Sequence, residues 1–207
     1  MSIPPSTASP STASPSTGPI RPPRADSVRN RALLLAAAKE IFAEGGPGAS
    51  LERVARRAGV GVGTLYRHFP TREALFDAVY RHEVDQLVTM AAQLGVGLPP
   101  LDALRRWLHA VVEFVATKKG MSAALAIVIH ASSDLTAYSM TYLIAAAGPL
   151  LAHGVATGAI RDDISAEDLL RTTIGLCYTH DQPGWQGNVC RLVDVFLDGM
   201  EVGTSDA

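Results

Sequence analysis

At 207 residues, 47% apolar and 18% charged, the chain is long enough for one medium domain or two small ones with a real core. The formal charge of −2 is unevenly spread: residues 1–72 carry ten Lys/Arg against four Asp/Glu, residues 73–207 eight against sixteen, so only the front third suits a polyanionic partner. Two cysteines, Cys177 and Cys190, exclude a secreted disulfide framework and match no zinc spacing. The first residues show neither a charged n-region nor an apolar h-region, so no signal peptide is expected. Its most apolar stretches, 121–131 and 143–152, are shorter than the roughly 18 residues of a membrane span, which predicts a cytoplasmic protein without a membrane partner.

Residues 1–25 are rich in Ser, Thr, Ala and Pro and repeat the pentad Ser-Thr-Ala-Ser-Pro; such a segment cannot offset its chain entropy by burial and is expected to be a disordered tail. It leads into Arg21, Arg24, Arg29 and Arg31, either a solvated linker or an arm that touches DNA. From residue 28 the pattern is helical, with Leu34, Ala38, Ile41 and Phe42 on one face and Asp26 or Ser27 as caps. After Gly45-Gly46-Pro47-Gly48, Ser50 caps a second helix whose inward residues are Leu51, Val54, Ala55 and Ala58, and Gly59 ends it. A third helix begins near Val62, with Leu65 and Phe69 inward, and stops at Pro70. Thr71 caps a fourth that runs to about Leu94 with Leu75, Phe76, Val79, Tyr80, Val84 and Leu87 as its apolar stripe. Beyond the joint at 95–100, helices are expected near 101–118, 121–132, 134–157, 165–178 and 189–200, with Pro149 kinking or splitting the third of these. Asp134, Ser165 and Asn188 are candidate caps, and 179–188 reads as a loop. No alternating strand pattern of useful length occurs, so the chain reads as all-α.

The stretch "GVGVGTLYRHFPTR" (59–72) holds three glycines at alternate positions and resembles, at first sight, a phosphate-binding loop. A dinucleotide fingerprint needs a strand before it and an acidic residue some 20 positions later. Here an amphipathic helix with three arginines precedes it, and no Gly-Lys-Ser/Thr follows. A helix-turn-helix accounts for more of the residues: Gly59 makes the turn, Val60 plugs its corner, and Gly63 allows close approach to a groove. Thr64, Arg67 and His68 then fall at i, i+3 and i+4 on the outward face, a polar edge suited to a major groove about one helix wide.

These residues carry a family resemblance. "RALLLAAAKEIFAEGG…SLERVARRAGVGVGTLYRHFPTREALFDAVY", over about residues 28–85, resembles the DNA-binding domain of TetR-type transcriptional regulators. The sequence departs from the family pattern at Gly61, where Ser is common, and at Val62, which often is polar. The resemblance implies an all-α architecture: a three-helix helix-turn-helix DNA-binding domain joined by a long fourth helix to a C-terminal helical ligand-binding and dimerisation domain. The boundaries expected are 1–25 for the tail, 26–86 for the DNA-binding domain with its motif at 50–69, and 87–203 for the C-terminal domain. It further implies that Tyr66 and His68 bond phosphates, that Thr64 lies at a base edge or phosphate, and that Ser50 and Arg72 grip the backbone on either side. Arg67 is the candidate for reading guanine, whose two acceptors fit a guanidinium fork, while Val62 can pack on a thymine methyl beside Gly63.

For the remainder, the resemblance implies a homodimer on a palindromic double-stranded operator and a pocket for a small-molecule effector. "RDDISAEDLLRTTIGL" and "RLVDVFLDGM" resemble the C-terminal domain of one large TetR subgroup, less closely. Leu169, Leu170, Ile174, Val189, Leu192, Val193 and Phe196 form two stripes that either build a four-helix dimer interface or face the monomer's own core. Trp107, Val111, Phe114, Ile127, His130, Tyr138, Tyr142 and Cys177 either line the effector pocket or are plain core; the polar tips of His130 and Tyr142 would orient a ligand or satisfy a core hydrogen bond. The histidines offer no persuasive ligand set, so no metal and no cofactor is expected. Cys177 with His180 is the nearest approach to a nucleophile–base pair, with only Asp181 to orient it, and the protein is not expected to be an enzyme. The function expected is a ligand-released repressor; the alternative is a ligand-independent regulator or activator whose C-terminal domain only dimerises or recruits a partner.

Overall fold

The computed structural model describes residues 23–44, 50–124, 132–180 and 182–202. The first helix, α1 (Pro23–Glu44), starts earlier than its candidate caps Asp26 and Ser27, which lie inside it. Proline at a helix start is favoured because its fixed φ is helical and its missing N–H would have had no intrahelical partner there. Leu34, Ala38, Ile41 and Phe42 are buried, as the periodicity requires. α2 (Leu51–Ala58) is capped by Ser50, whose hydroxyl accepts the Arg53 N–H at 3.2 Å, and ends at Gly59 in the left-handed conformation (φ 65°). α3 (Val62–His68) lacks a side-chain cap, since Gly61 stands at its N-cap and only its carbonyl accepts from the first turn, from the Thr64 and Leu65 N–H groups. Thr71 caps α4 (Arg72–Gly97), accepting the Ala74 N–H at 3.1 Å.

Four further helices complete the described chain: α5 (Pro100–Ala124), α6 (Ser132–Ala156), α7 (Ala166–Tyr178) and α8 (Trp185–Asp198). α5 passes through Gly120 where a break was expected, and the rest of the helix expected at 121–132 lies outside the described residues up to 131. α6 is continuous across the exposed Pro149, held from both sides by buried Ala147, Leu150 and Leu151. Ser165 and Asp168 form a reciprocal capping box at the start of α7. α8 starts at Trp185, after Gly184 with φ 76°, so Asn188 sits within the helix rather than capping it, and Asp134 likewise lies inside α6. Burial of the large Trp185 ring explains the earlier start. Among the described residues there is no strand; one isolated bridge, Ile160 to Glu201, ties the chain after α8 to the α6–α7 connection.

Two apolar clusters result. A smaller one is built from α1, α2, α3 and the start of α4, and centres on Leu34, Phe42, Val54, Leu65, Phe69 and Leu75. The larger one runs from Tyr80 along α4 through α5 to α8. Phe76 packs against both. Two longer links join α1 and α6 to α4: the Lys39–Glu83 ion pair, whose carboxylate is buried, and the Tyr80 hydroxyl, which donates to Ser139 Oγ at 2.8 Å. On the other side of the body, Arg105 bridges Asp194 (2.9 Å) and Asp198 (2.7 Å), and His109 shares Asp194 at 2.8 Å, clamping α5 to α8. The 135–156 segment of α6 has a mean hydropathy of 1.3 and is long and apolar enough to cross a membrane by length and composition alone. Counting only uninterrupted apolar runs misses it. Its Leu135, Leu143, Ala147, Leu150 and Leu151 are nevertheless core residues, packed with α4, α5 and α7.

Candidate nucleic-acid interface

The second and third helices set up one exposed edge. Gly59 closes α2 with its N–H on the Arg56 carbonyl (3.2 Å), and Val60 follows onto Ala55 (3.0 Å), a tight turn that points α3 away from α2. Leu65 and Phe69, both buried, pin α3 to the small core. The 3.6-residue period then leaves Val62, Gly63, Tyr66 and Arg67 exposed, with Thr64 and His68 partly so. Val62 (41%) and Tyr66 (42%) are large apolar groups left exposed on this short helix. A Cβ on Gly63 would meet nothing within 4 Å, so no neighbour in the protein itself demands glycine there.

Several polar groups on this edge are held in place. Arg67 Nε donates to the Gly63 carbonyl at 3.3 Å, which lays the side chain back along its own helix. The Tyr66 hydroxyl donates to Glu52 Oε1 at 3.4 Å. Backbone N–H groups, the Ser50 hydroxyl and then Tyr66 hold the Glu52 carboxyl below its usual range, so a negative charge sits among the groups expected to meet phosphate. That partnership spans fourteen positions across the turn and is invisible to helical periodicity. Arg31 of α1 adds a cation close by, its guanidinium 4.9 Å from the Phe69 ring centroid. Sequence placed it only in a general basic lead-in. Arg72 is partly buried and stands 5.8 Å from the Phe42 ring, over the small core. Ser50 sits on the same side as a helix cap, its oxygen engaged by Arg53.

Comparisons with known proteins agree with this geometry. Residues 34–79 match the family described as bacterial regulatory proteins, tetR family, and residues 99–202 match the C-terminal domain of SbtR-like transcriptional regulators. A TetR transcriptional regulator from Streptomyces coelicolor is 41% identical, with 83% of this chain and 98% of that one covered at a TM-score of 0.74. The chain belongs to the TetR family of transcriptional regulators. A TetR regulator from Mycobacterium vanbaalenii is 34% identical, covering 87% of this chain and all of that one, TM-score 0.68. An HTH-type regulator from Staphylococcus aureus is 33% identical over 72 residues, 34% of this chain and 39% of that relative's length.

TetR-family regulators bind DNA and small molecules and act as dimers, which frames the residues expected to serve the body. Trp107, Val111, Phe114 and Cys177 are all buried; Trp107 Nε1 donates to the Leu87 carbonyl at 2.9 Å, and the Phe114 ring meets Tyr80 tilted, their centroids 5.2 Å apart. Tyr138 is partly buried beside the exposed Tyr142, their rings 4.5 Å apart, with Arg81 over Tyr138. Ile127 and His130 lie outside the described residues. Lys118 was not singled out by sequence: its ammonium donates to Thr136 Oγ1 at 3.1 Å and faces Tyr80, and burial lowers its pKa. Of the candidate dimer residues, Leu169, Leu170, Val189 and Val193 are fully enclosed in the protomer's own core, while Ile174 and Phe196 are partly buried and Leu192 is exposed. Besides Leu192, the large apolar groups that α7 and α8 leave exposed are Tyr178 and Val195.

The Cys177–His180 pair does not form a nucleophile and base. Burial pushes the Cys177 thiol up to about 12, and His180 Nδ1 lies against the Leu176 carbonyl (3.1 Å) and the Thr179 hydroxyl (2.9 Å). Lys119 meanwhile donates to the Cys177 and His180 carbonyls at 3.1 and 2.8 Å, capping the negative end of α7.

Proposed function

We propose that this regulator is a cytoplasmic homodimeric repressor that grips a palindromic DNA operator through α3 and releases it when a small molecule occupies the helical body. The observation that carries the reading is the outward edge of α3, where Val62, Tyr66 and Arg67 stand exposed around a Gly63 that nothing in the protein constrains. Tyr66, His68 and Ser50 would hold phosphates and set register; Arg67 and Thr64 would choose bases, with Val62 against a thymine methyl. Because Arg72 is drawn over Phe42, it would reach the backbone only by leaving that ring.

One head reads few base pairs, so two heads on half-sites about one helical turn apart supply the specificity. Tyr178, Leu192 and Val195, with the partly buried Ile174 and Phe196, supply an apolar face for a second copy. Release requires that the effector bind the DNA-free arrangement better than the DNA-bound one. The continuous α4 gives such a difference a route, since it carries Tyr80 against Ser139 of α6 in the body and Leu75 in the head core. Selection of bound fragments from random DNA with the purified protein tests the reading. A palindrome with half-sites about one turn apart is the expected result; enrichment of single half-sites, or of nothing, would overturn it.

A further inference from the structure

Where the head meets the body, a groove of about 670 Å³ opens between α1, the end of α3, α4 and α6. Its floor is Ala74 and Ala78, one turn apart on α4 and too small to fill the space above them. We propose that this groove binds a small planar anion, an aromatic phosphate or carboxylate, and that its occupant competes directly with DNA. The proposal reaches beyond an effector pocket inside the body, because the groove lies on the outside of the molecule and borrows its wall from the reading head.

Charge decides which end of a ligand goes where. Arg31 and Arg67 stand at the head end, each fixed by a contact that leaves terminal N–H groups over: Arg31 by the Phe69 ring at 4.9 Å, Arg67 by its Nε on the Gly63 carbonyl at 3.3 Å. Among the described residues neither forms an ion pair, so two unpaired guanidiniums border one hollow whose nearer carboxylate, Asp77, is already engaged by Arg81. Fixed, unpaired guanidiniums are suited to fork onto a phosphate or carboxylate. The other end is different. Arg81 is already neutralised by Asp77 at 2.9 Å and lies 4.3 Å from the Tyr138 ring, giving a flat aromatic and cationic wall. Asp85 also lines this side and would repel a second negative charge, so the anion is directed toward the head and a planar body toward Tyr138. Arg67 belongs to both the groove and the DNA-facing edge; an anion held by it removes it from DNA by occupation, with no change of the body required.

Displacement of a labelled random-sequence duplex, followed by fluorescence anisotropy, tests this on the full chain. 1-Naphthyl phosphate or 1-naphthoate should displace the duplex at concentrations at least about ten-fold lower than either 1-naphthol, the body without charge, or inorganic phosphate, the charge without body. Whichever of the two acids is stronger identifies the anion. Tyr138→Ala, which removes the stacking wall, and Ala78→Phe, which fills the floor, should each weaken that displacement about ten-fold while leaving duplex affinity unchanged. Inorganic phosphate as effective as naphthyl phosphate would reduce the effect to ionic competition and overturn the site. So would full displacement in both variants, or none by either acid in the unaltered protein.

Discussion

The head and the body solve opposite problems with the same element. In the head, twelve described residues are buried around Leu34, Phe42 and Leu65, and the small core exists to hold one short helix still while its other face stays in water. In the body, twenty-six are buried and they absorb nearly every apolar group that could otherwise mark a functional surface. Function is therefore concentrated in what the head leaves out and in what the body leaves over.

The separation of the two cores makes the strongest test. Phe42→Ala removes a fully buried ring of the small core and should cost about 3–5 kcal/mol. Melting followed by circular dichroism should then show an early loss confined to a minority of the helix signal, with DNA binding abolished and the body still folded. A single transition in which both parts are lost together would mean that α4 fuses them into one cooperative unit. Next in size, Arg67→Ala should cost roughly 1–3 kcal/mol on a selected operator and relax preference at one base pair per half-site; equal loss on random DNA would make Arg67 a backbone contact. In the body, Ser165→Ala breaks the capping box of α7 and should cost about 1 kcal/mol of stability, visible as a lowered melting temperature with DNA affinity unchanged.

Two smaller effects sharpen the contrast. On the head, Glu52→Gln removes the carboxylate beside Tyr66 and should tighten binding to every sequence a few-fold, most at low salt; a changed consensus instead would assign Glu52 to base selection. In the body, the Cys177 thiol is pushed from 9.0 up to about 12 by burial. The neutral form is favoured in the fold, so that contribution is complete below pH 9 and is lost as pH climbs toward 12. Melts recorded at rising pH above 9 should fall less steeply for Cys177→Ala than for the unaltered chain.

The same contrast governs what could be read from the letters. The caps Ser50, Thr71 and Ser165, the turn at Gly59 and the inward set Leu34, Ala38, Ile41 and Phe42 depend on neighbours within four residues, and each is where the pattern put it. The outward edge of α3 was legible for that reason too. Which neighbour a buried stripe faces is a different question, since Leu169 or Val193 looks the same against its own α5 as against a second copy. The start of α8 was hidden because Trp185 gives no local signal that burial will draw it into the helix. The surroundings of Arg72 and Glu52 are not legible in the sequence because their partners, Phe42 and Tyr66, lie thirty and fourteen positions away.

The chain's eighteen cations include only three lysines, and all are engaged away from the α3 edge: Lys39 with Glu83, Lys118 with Thr136, Lys119 with the end of α7. The cations at that edge are arginine guanidiniums. Enzymatic or spontaneous acylation, which silences amines and leaves guanidinium groups charged, would thus have no handle on the grip itself. Its targets would be the Lys39 link between α1 and α4, the polar contact beneath Tyr80, and the cap on α7, so metabolic acyl donors would act on how the protein is held together before they touched how it holds DNA.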